Sequence, residues 1–183
     1  KSETAPKSSV IRYEFPARGD RAPVSLTWYE GGKLPPASLI EQYKITSTRT
    51  VREGALKREA RASRYADNGS ILIGEKGLLA LNDTSGARWR LYPEADFQDF
   101  QPPAKTLARS PGHMLDWIDG IKNGRQACSN FEYATALTGM VLLGNLAIHA
   151  GKPIQWDAAQ MKAVNAPELD ALIKPDYRPG WEL

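Results

Sequence analysis

Cysteine and histidine are scarce, with one cysteine and two histidines in 183 residues. The single Cys128 excludes an internal disulfide and a cysteine-based zinc site, and we expect it to be a small buried thiol beside a helix start. His113 and His149 are too few for a histidine-rich metal centre. No stretch approaches the roughly 18 uninterrupted apolar residues of a membrane span, so the sequence predicts no bilayer crossing.

Nucleotide-binding motifs are also missing. We find no Gly-x-Gly-x-x-Gly after a strand and no phosphate-binding Gly-Lys-Ser/Thr loop. Residues 74–77 (GEKG) form a turn between two predicted strands and lack the following helix of a phosphate cradle. The residues therefore predict no cofactor site, no metal site and no complete catalytic set in this chain.

Charge is nearly balanced, with 24 basic and 21 acidic residues and a net charge of +3. The basic residues concentrate between Arg49 and Arg64. Such a run either binds the phosphates of a nucleic acid or forms a solvated face. Nucleic-acid-binding proteins usually add an aromatic platform, and none accompanies this run. We therefore predict no nucleic-acid partner.

The pattern of apolar residues changes along the chain from strands to helices. Alternation predicts a hairpin from strands at 9–15 and 24–29, a short helix at 38–43, and three short strands at 70–73, 78–82 and 88–92. Helical spacing then predicts two helices, which begin at Ser110 and at a Ser129–Glu132 capping box and end at Gly124 and Gly151. Strands followed by helices predict one α+β domain over residues 1–183.

Each of these two helices carries an apolar stripe that we expect to be buried. The stripes recur at three- and four-residue spacing, which is typical of a helix packed on a core. Their members are Met114, Trp117, Ile118 and Ile121 in the first helix, and Phe131, Ala134, Leu137, Val141, Leu142 and Leu146 in the second. Near the C-terminus we expect a strand at 153–156 and helical turns at 158–163 and 167–173.

Two groups of residues are candidates for contact with a substrate. Sugar sites combine an aromatic face with hydrogen-bond donors, because a sugar ring has an apolar face and a rim of hydroxyls. Arg18, Trp28, Tyr29 and Lys33 fit this chemistry, although a core tryptophan among exposed turn charges explains them equally well. His113 and Asp116 stand one helical turn apart and could share a proton or touch a substrate, or form a plain helix surface.

Several strings, taken together and in order, resemble the glucose–fructose oxidoreductase / inositol dehydrogenase / MocA family (Gfo/Idh/MocA). The clearest are VIRYEFPARGD at 10–20, VSLTWYEGG at 24–32 and YRPGWEL at 177–183. The others lie at 34–36, 69–77, 91–94, 105–111, 117–119, 127–131, 141–145 and 154–157. The resemblance covers nearly the whole chain except 45–68, across which we carry nothing.

The resemblance implies a two-domain oxidoreductase that acts on a sugar or polyol. Its N-terminal half would be a Rossmann domain that holds NAD or NADP, and this chain matches only the C-terminal half. That half would be α+β, with an open-faced, mostly antiparallel sheet, helices on one face, and a homo-oligomer interface on the open face. The family's Glu-Lys-Pro motif, its nucleotide loop and its Asp/His pair have no counterpart here, so His113 and Asp116 are not that pair.

A second hypothesis stays open. The same fold can serve as a non-catalytic binding or assembly module, because fold alone does not fix function. The resemblance implies a cytoplasmic or a periplasmic protein and does not decide between them. Hydride transfer belongs to the cofactor, so we expect this chain alone to have no dehydrogenase activity.

Overall fold

A computed structural model describes residues 6–42, 69–81, 86, 88–174 and 176–181. The basic run at 49–64 and the remainder of 45–68 lie outside the described residues. Contacts divide the chain into two units: Lys1–Tyr29 with Thr106–Leu183, and Glu30–Lys105. Each unit is described by itself.

The first unit begins with two paired strands, β1 (Ser9–Phe15) and β2 (Val24–Glu30). The loop between them is closed by a bridge in which Arg18 and Arg21 exchange two backbone hydrogen bonds of 3.1 Å. Alternate residues of β1 face opposite ways, so Ile11 and Tyr13 share the half-buried side. The predicted hairpin strands are confirmed.

Helix α2 (His113–Asn123) starts two residues later than predicted, because Gly112 rather than Ser110 is its N-cap. Its end is confirmed: Gly124 adopts the left-handed conformation at φ 63°. The buried side was predicted wrongly. Asp116 and Gly120 are buried, whereas the stripe of Met114, Trp117, Ile118 and Ile121 lies on the opposite, exposed side. The three- and four-residue spacing of apolar residues identifies an apolar helix face, but it does not show whether another element covers that face.

Helix α3 (Phe131–Ala150) is capped by Asn130, whose side-chain oxygen accepts from the Tyr133 N–H at 3.0 Å. The predicted capping box therefore lies one residue too early. Gly151 ends the helix at φ 64°, as predicted. Only part of the expected stripe is buried: Leu146 lies in a core, whereas Phe131 is 89% exposed. The first half of α3 is mostly exposed.

The end of the first unit packs on the last turns of α3. Strands β6 (Trp156–Asp157) and β7 (Lys162–Ala163) pair antiparallel, and a 3-10 turn at Pro167–Leu169 leads into α4 (Asp170–Ile173). The core here consists of Leu146, Ala163, Ala166 and Leu169. The strand predicted at 153–156 is shorter and later. Residues 158–163, predicted as a helical turn, contain instead the β6–β7 connection and β7 itself.

The second unit contains α1 (Ala37–Gln42) and an antiparallel sheet of β3 (Ser70–Gly74), β4 (Gly77–Leu81) and β5 (Trp89–Tyr92). These elements match the predicted ones to within one residue at most ends. Leu78, Ala80 and Tyr92 are buried on one sheet face, with Leu39 of α1 packed against them. A 3-10 turn at Glu94–Phe97 follows β5.

The opposite face of this sheet is apolar and less covered. Direct cross-strand partners share a face, so Leu72, Leu79 and Leu91 form one row across the three strands. Leu81 and Trp89 form the next row. Leu72 is 50% exposed and Trp89 is 42% exposed. We call this surface the leucine face.

The described residues thus form a mixed structure of small antiparallel sheets and a few helices, which is compatible with the predicted α+β class. By length and composition alone, α3 could cross a membrane. The core helix of a non-membrane protein passes the same test, and α3 carries Glu132, Asn145 and His149 among its apolar residues. This helix therefore gives no argument for a membrane span.

Candidate functional site

The structure distributes the predicted substrate residues over several elements. Arg18 lies in the β1–β2 loop, and its backbone is used in the bridge to Arg21. Trp28 and Tyr29 are neighbours in β2, so their side chains project from opposite faces and only one can face a given ligand. Lys33 follows a turn in the second unit, where its N–H donates to the Glu30 carbonyl at 3.3 Å.

His113 and Asp116 both lie in the first turn of α2, but the side chains are not paired with one another. His113 is exposed, whereas Asp116 is only 4% exposed. The carboxylate of Asp116 accepts hydrogen bonds from Arg125 and Cys128, which lie beyond the end of the helix. Contact of either residue with a substrate stays a prediction.

The best-organised polar cluster among the described residues surrounds Asp116. The Arg125 Nη2 donates to Oδ1 at 2.7 Å, and the Cys128 backbone N–H donates to Oδ2 at 2.7 Å. Arg125 also binds Asp119 through Nε at 2.5 Å. We call Asp116, Asp119, Arg125 and Cys128 the α2 clasp, because they fasten the chain after α2 back onto the helix.

Backbone contacts complete the clasp. The Arg125 N–H donates to the Gly120 carbonyl at 3.2 Å. A Cβ on Gly120 would lie 3.0 Å from the Arg125 carbonyl oxygen, so the close approach favours glycine there. Cys128 was expected to be buried, but it is exposed, and its Sγ lies 3.8 Å from Asp116 Oδ1.

Electrostatics keep both charged partners of the clasp ionised. The Arg125 guanidinium, and next the Cys128 backbone N–H, hold the pKa of the Asp116 carboxyl below its ordinary value of 3.8. In turn, hydrogen bonds to Asp116 and Asp119 raise the pKa of Arg125. A general base works best with a pKa near the working pH, so Asp116 is suited to fastening the loop rather than to proton transfer.

Asp116→Asn is expected to lower the melting temperature at neutral pH by roughly 5 °C. The neutral amide has one acceptor oxygen, so it cannot accept from both Arg125 and the Cys128 N–H, and it carries no charge to pair with the arginine. A lowered folded pKa means that the carboxylate stabilises the fold above pH 3.8 and that this contribution is lost as pH falls through the folded value. The wild-type chain should therefore lose stability on acidification more steeply than the variant.

Melting temperatures measured from about pH 6 down to about pH 2 test this prediction. Asp119→Asn is the matched control, since Asp119 binds the same arginine but is more exposed, with 44% of its side chain accessible. Its effect should be smaller. Parallel pH profiles for wild type and Asp116→Asn would contradict the proposed role of the clasp.

A groove in the second unit was not predicted from the sequence. Its volume is about 320 Å³. Its lining residues are Trp89, Arg90, Leu91, Glu94, Phe97 and Phe100. The signal that could have revealed it is the aromatic spacing from the start of β5, where four aromatic residues, Trp89, Tyr92, Phe97 and Phe100, fall within twelve positions.

No group of three or more histidine, cysteine, aspartate or glutamate side chains that could hold a metal ion is found within the described ranges. No family model matches the chain, and neither a curated protein nor a solved structure matches it.

Proposed function

We propose that this chain is the C-terminal domain of an NAD(P)-dependent oxidoreductase that acts on a sugar or polyol. The observation that carries the proposal is the ordered resemblance to the Gfo/Idh/MocA family along nearly the whole chain outside 45–68. In such an enzyme the nicotinamide cofactor supplies hydride transfer, and it would be bound by an N-terminal half. The domain described here would contribute substrate binding and orientation.

The exposed apolar faces of α2 and α3 support the proposal. Trp117 and Ile121 of α2 and Phe131 of α3 are large apolar side chains that are more than half exposed. Burial of apolar surface stabilises by about 25 cal/mol per Å², so exposed apolar helix faces of this kind favour a partner. A second domain packed on these helices would satisfy it.

The test compares two proteins: the 183-residue chain and the product of the entire reading frame that encodes it. Each is assayed for oxidation of NADH or NADPH, and for the reverse reaction, with a panel of sugars, keto sugars and cyclitols. We expect turnover only in the longer protein. Turnover by the 183-residue chain would overturn the expected lack of a catalytic set, and a longer protein that binds no nicotinamide would favour the assembly-module alternative.

We also propose that the chain self-associates through the leucine face. Its central row of Leu72, Leu79 and Leu91 is continuous across three strands. Apolar side chains that project from one face of a small sheet need cover, and a second copy of the same face supplies it symmetrically. We propose that this surface is the open sheet face that the resemblance implies.

Leu72→Glu is expected to convert the oligomer to a monomer in light scattering, because it places a charge in the middle of the apolar contact. Ile73→Glu is the matched control. Ile73 is the next residue of the same strand, is 61% exposed, and projects from the opposite face. A monomeric wild-type chain at high concentration, or equal effects of the two substitutions, would contradict the interface.

A further inference from the structure

The tip of the β1–β2 hairpin presents two arginines opposite one another. Arg18 and Arg21 exchange both backbone hydrogen bonds, so they form a directly opposed antiparallel pair around a two-residue turn. The side chains of such a pair project from the same face, with Cβ atoms about 4.5–5.5 Å apart. Both residues are exposed, so the two guanidinium groups share one accessible surface. We call Arg18 and Arg21 the arginine pair.

The backbone that carries the arginine pair is restricted before any ligand binds. Gly19 has a φ of 62° at the first central position of the turn, where the favoured two-residue hairpin turns need a positive φ. Pro16 and Pro23 stand two residues outside the arginines, one on each strand, and their rings fix φ on both sides of the tip. A site with an ordered backbone loses less conformational entropy when it binds a ligand.

Two opposed arginines are not needed to form this turn. Like charges directly opposite one another on paired strands are destabilising, so this placement lowers the stability of the hairpin. Neither guanidinium forms an ion pair among the residues that the structure describes, although Asp20 lies between them in the sequence. The contrast is with Arg125, which the α2 clasp holds against two carboxylates. The arginine pair therefore keeps its donors available for an anion.

We propose that the arginine pair binds the phosphate group of a phosphate monoester. A carboxylate is satisfied by one guanidinium through two parallel hydrogen bonds, so it does not use a second arginine. A phosphate monoester has a charge near −2 and three acceptor oxygens, which can accept from both guanidinium groups at once. A phosphate diester has a single negative charge and matches two cations less well. Two cations on one face therefore favour the monoester.

Binding is tested by titrating the 183-residue chain with glycerol 3-phosphate at low salt and about pH 8, where the monoester is a dianion. Calorimetry and the arginine Nε–H resonances are the readouts. Inorganic phosphate, acetate and dimethyl phosphate are the comparisons. We expect saturable millimolar binding of glycerol 3-phosphate, shifts of the Arg18 and Arg21 resonances, and binding of acetate and dimethyl phosphate that is weaker by about fivefold or more.

Three results of these titrations would overturn the proposal. No binding of glycerol 3-phosphate would remove the site. Tighter binding of inorganic phosphate than of glycerol 3-phosphate would assign the arginine pair to the free ion instead of an ester. Equal or tighter binding of dimethyl phosphate would assign it to a diester, which is the chemistry of a nucleic-acid backbone or a phospholipid.

Arg18→Gln and Arg21→Gln should each weaken the binding of glycerol 3-phosphate by about tenfold, because each removes one of the two cations. The bridge uses backbone atoms, so both variants keep the turn. The matched control is Arg109→Gln, which removes an exposed arginine elsewhere in the same unit and should leave binding unchanged. Equal losses in all three variants would show that binding follows net charge alone and would overturn the site.

Asp20→Asn is expected to change binding in the opposite direction. The Asp20 carboxylate is exposed at the second central position of the same turn, where it repels an incoming anion. Asparagine is favoured in such turns, so the variant should keep the hairpin and bind glycerol 3-phosphate about threefold more tightly at low salt. Unchanged or weaker binding would contradict a site at the hairpin tip. The site uses neither the leucine face nor the apolar faces of α2 and α3, so its failure would leave the proposed function unchanged.

Discussion

Gly77→Ala is expected to destabilise the second unit by about 3 kcal/mol, which is a large effect for the addition of one methyl group. Gly77 has a φ of 156° at the start of β4, and a Cβ there would overlap the backbone carbonyl oxygen of Tyr92. The same Cβ would lie 2.8 Å from the ring of Phe97. Because one obstacle is backbone, no side-chain rotation relieves the overlap.

Gly74→Ala is the control within the same turn. Its Cβ would lie 3.7 Å from the Gly77 carbonyl oxygen, which is an ordinary contact. We therefore expect a change of less than about 0.5 kcal/mol. Urea denaturation and hydrogen exchange of the β4 amides measure both effects, and similar results for Gly74→Ala and Gly77→Ala would contradict the packing described at Phe97.

The consequences of Gly77→Ala should extend to the groove. Phe97 lines the groove, so displacement of its ring would change the shape of the groove even where the unit stays folded. Hydrogen exchange distinguishes the two cases, because unfolding exposes all of the β4 amides whereas a local shift leaves them protected.

Local signals in the sequence predicted where helices end better than they predicted which side chains of those helices are buried. Gly124 and Gly151 end α2 and α3 because a left-handed residue is a property of one position. The helix starts were displaced by one or two residues, since Asn130 and Gly112 take the cap positions in place of nearby serines. Several residues in such a segment can cap, and the final choice depends on the path of the preceding chain.

Burial was harder to predict than secondary structure. The stripe of Trp117 and Ile121 is apolar, but the side of α2 that is covered is the one where the α2 clasp forms. That clasp joins Asp116 to Arg125 across the end of a helix and a glycine turn. Its geometry therefore depends on tertiary contacts, which the periodicity of apolar residues in the sequence does not reveal. The groove likewise needs β5 and the following turn to be placed together before Trp89 and Phe100 meet.

The packing of α3 on β1 provides the second large expected effect. Gly144 is buried, and a Cβ on it would overlap the Tyr13 hydroxyl and lie 3.1 Å from Ile11 Cδ1. We expect Gly144→Ala to destabilise the first unit by about 2 kcal/mol, because overpacking outweighs the better helix propensity of alanine. Thermal and urea unfolding measure the change.

Gly139 supplies the control in the same helix, since a Cβ there meets no atom within 4 Å. Gly139→Ala should therefore stabilise the chain by about 0.5–1 kcal/mol, which is the intrinsic helix preference of alanine. Opposite signs for two identical substitutions five residues apart would isolate the contact with β1. A stabilising Gly144→Ala would show that α3 does not approach β1 at this point.

Tyr13→Phe tests the same contact from the strand. It removes the oxygen that the new methyl group would overlap, so Gly144→Ala should cost less in the Tyr13→Phe background than in wild type. The single Tyr13→Phe variant measures the effect of removing the hydroxyl by itself. Subtracting both single-variant effects from the effect of the double variant gives the coupling free energy between the two positions. A coupling of about 1 kcal/mol is expected, and additive effects would place the overlap elsewhere than at the hydroxyl.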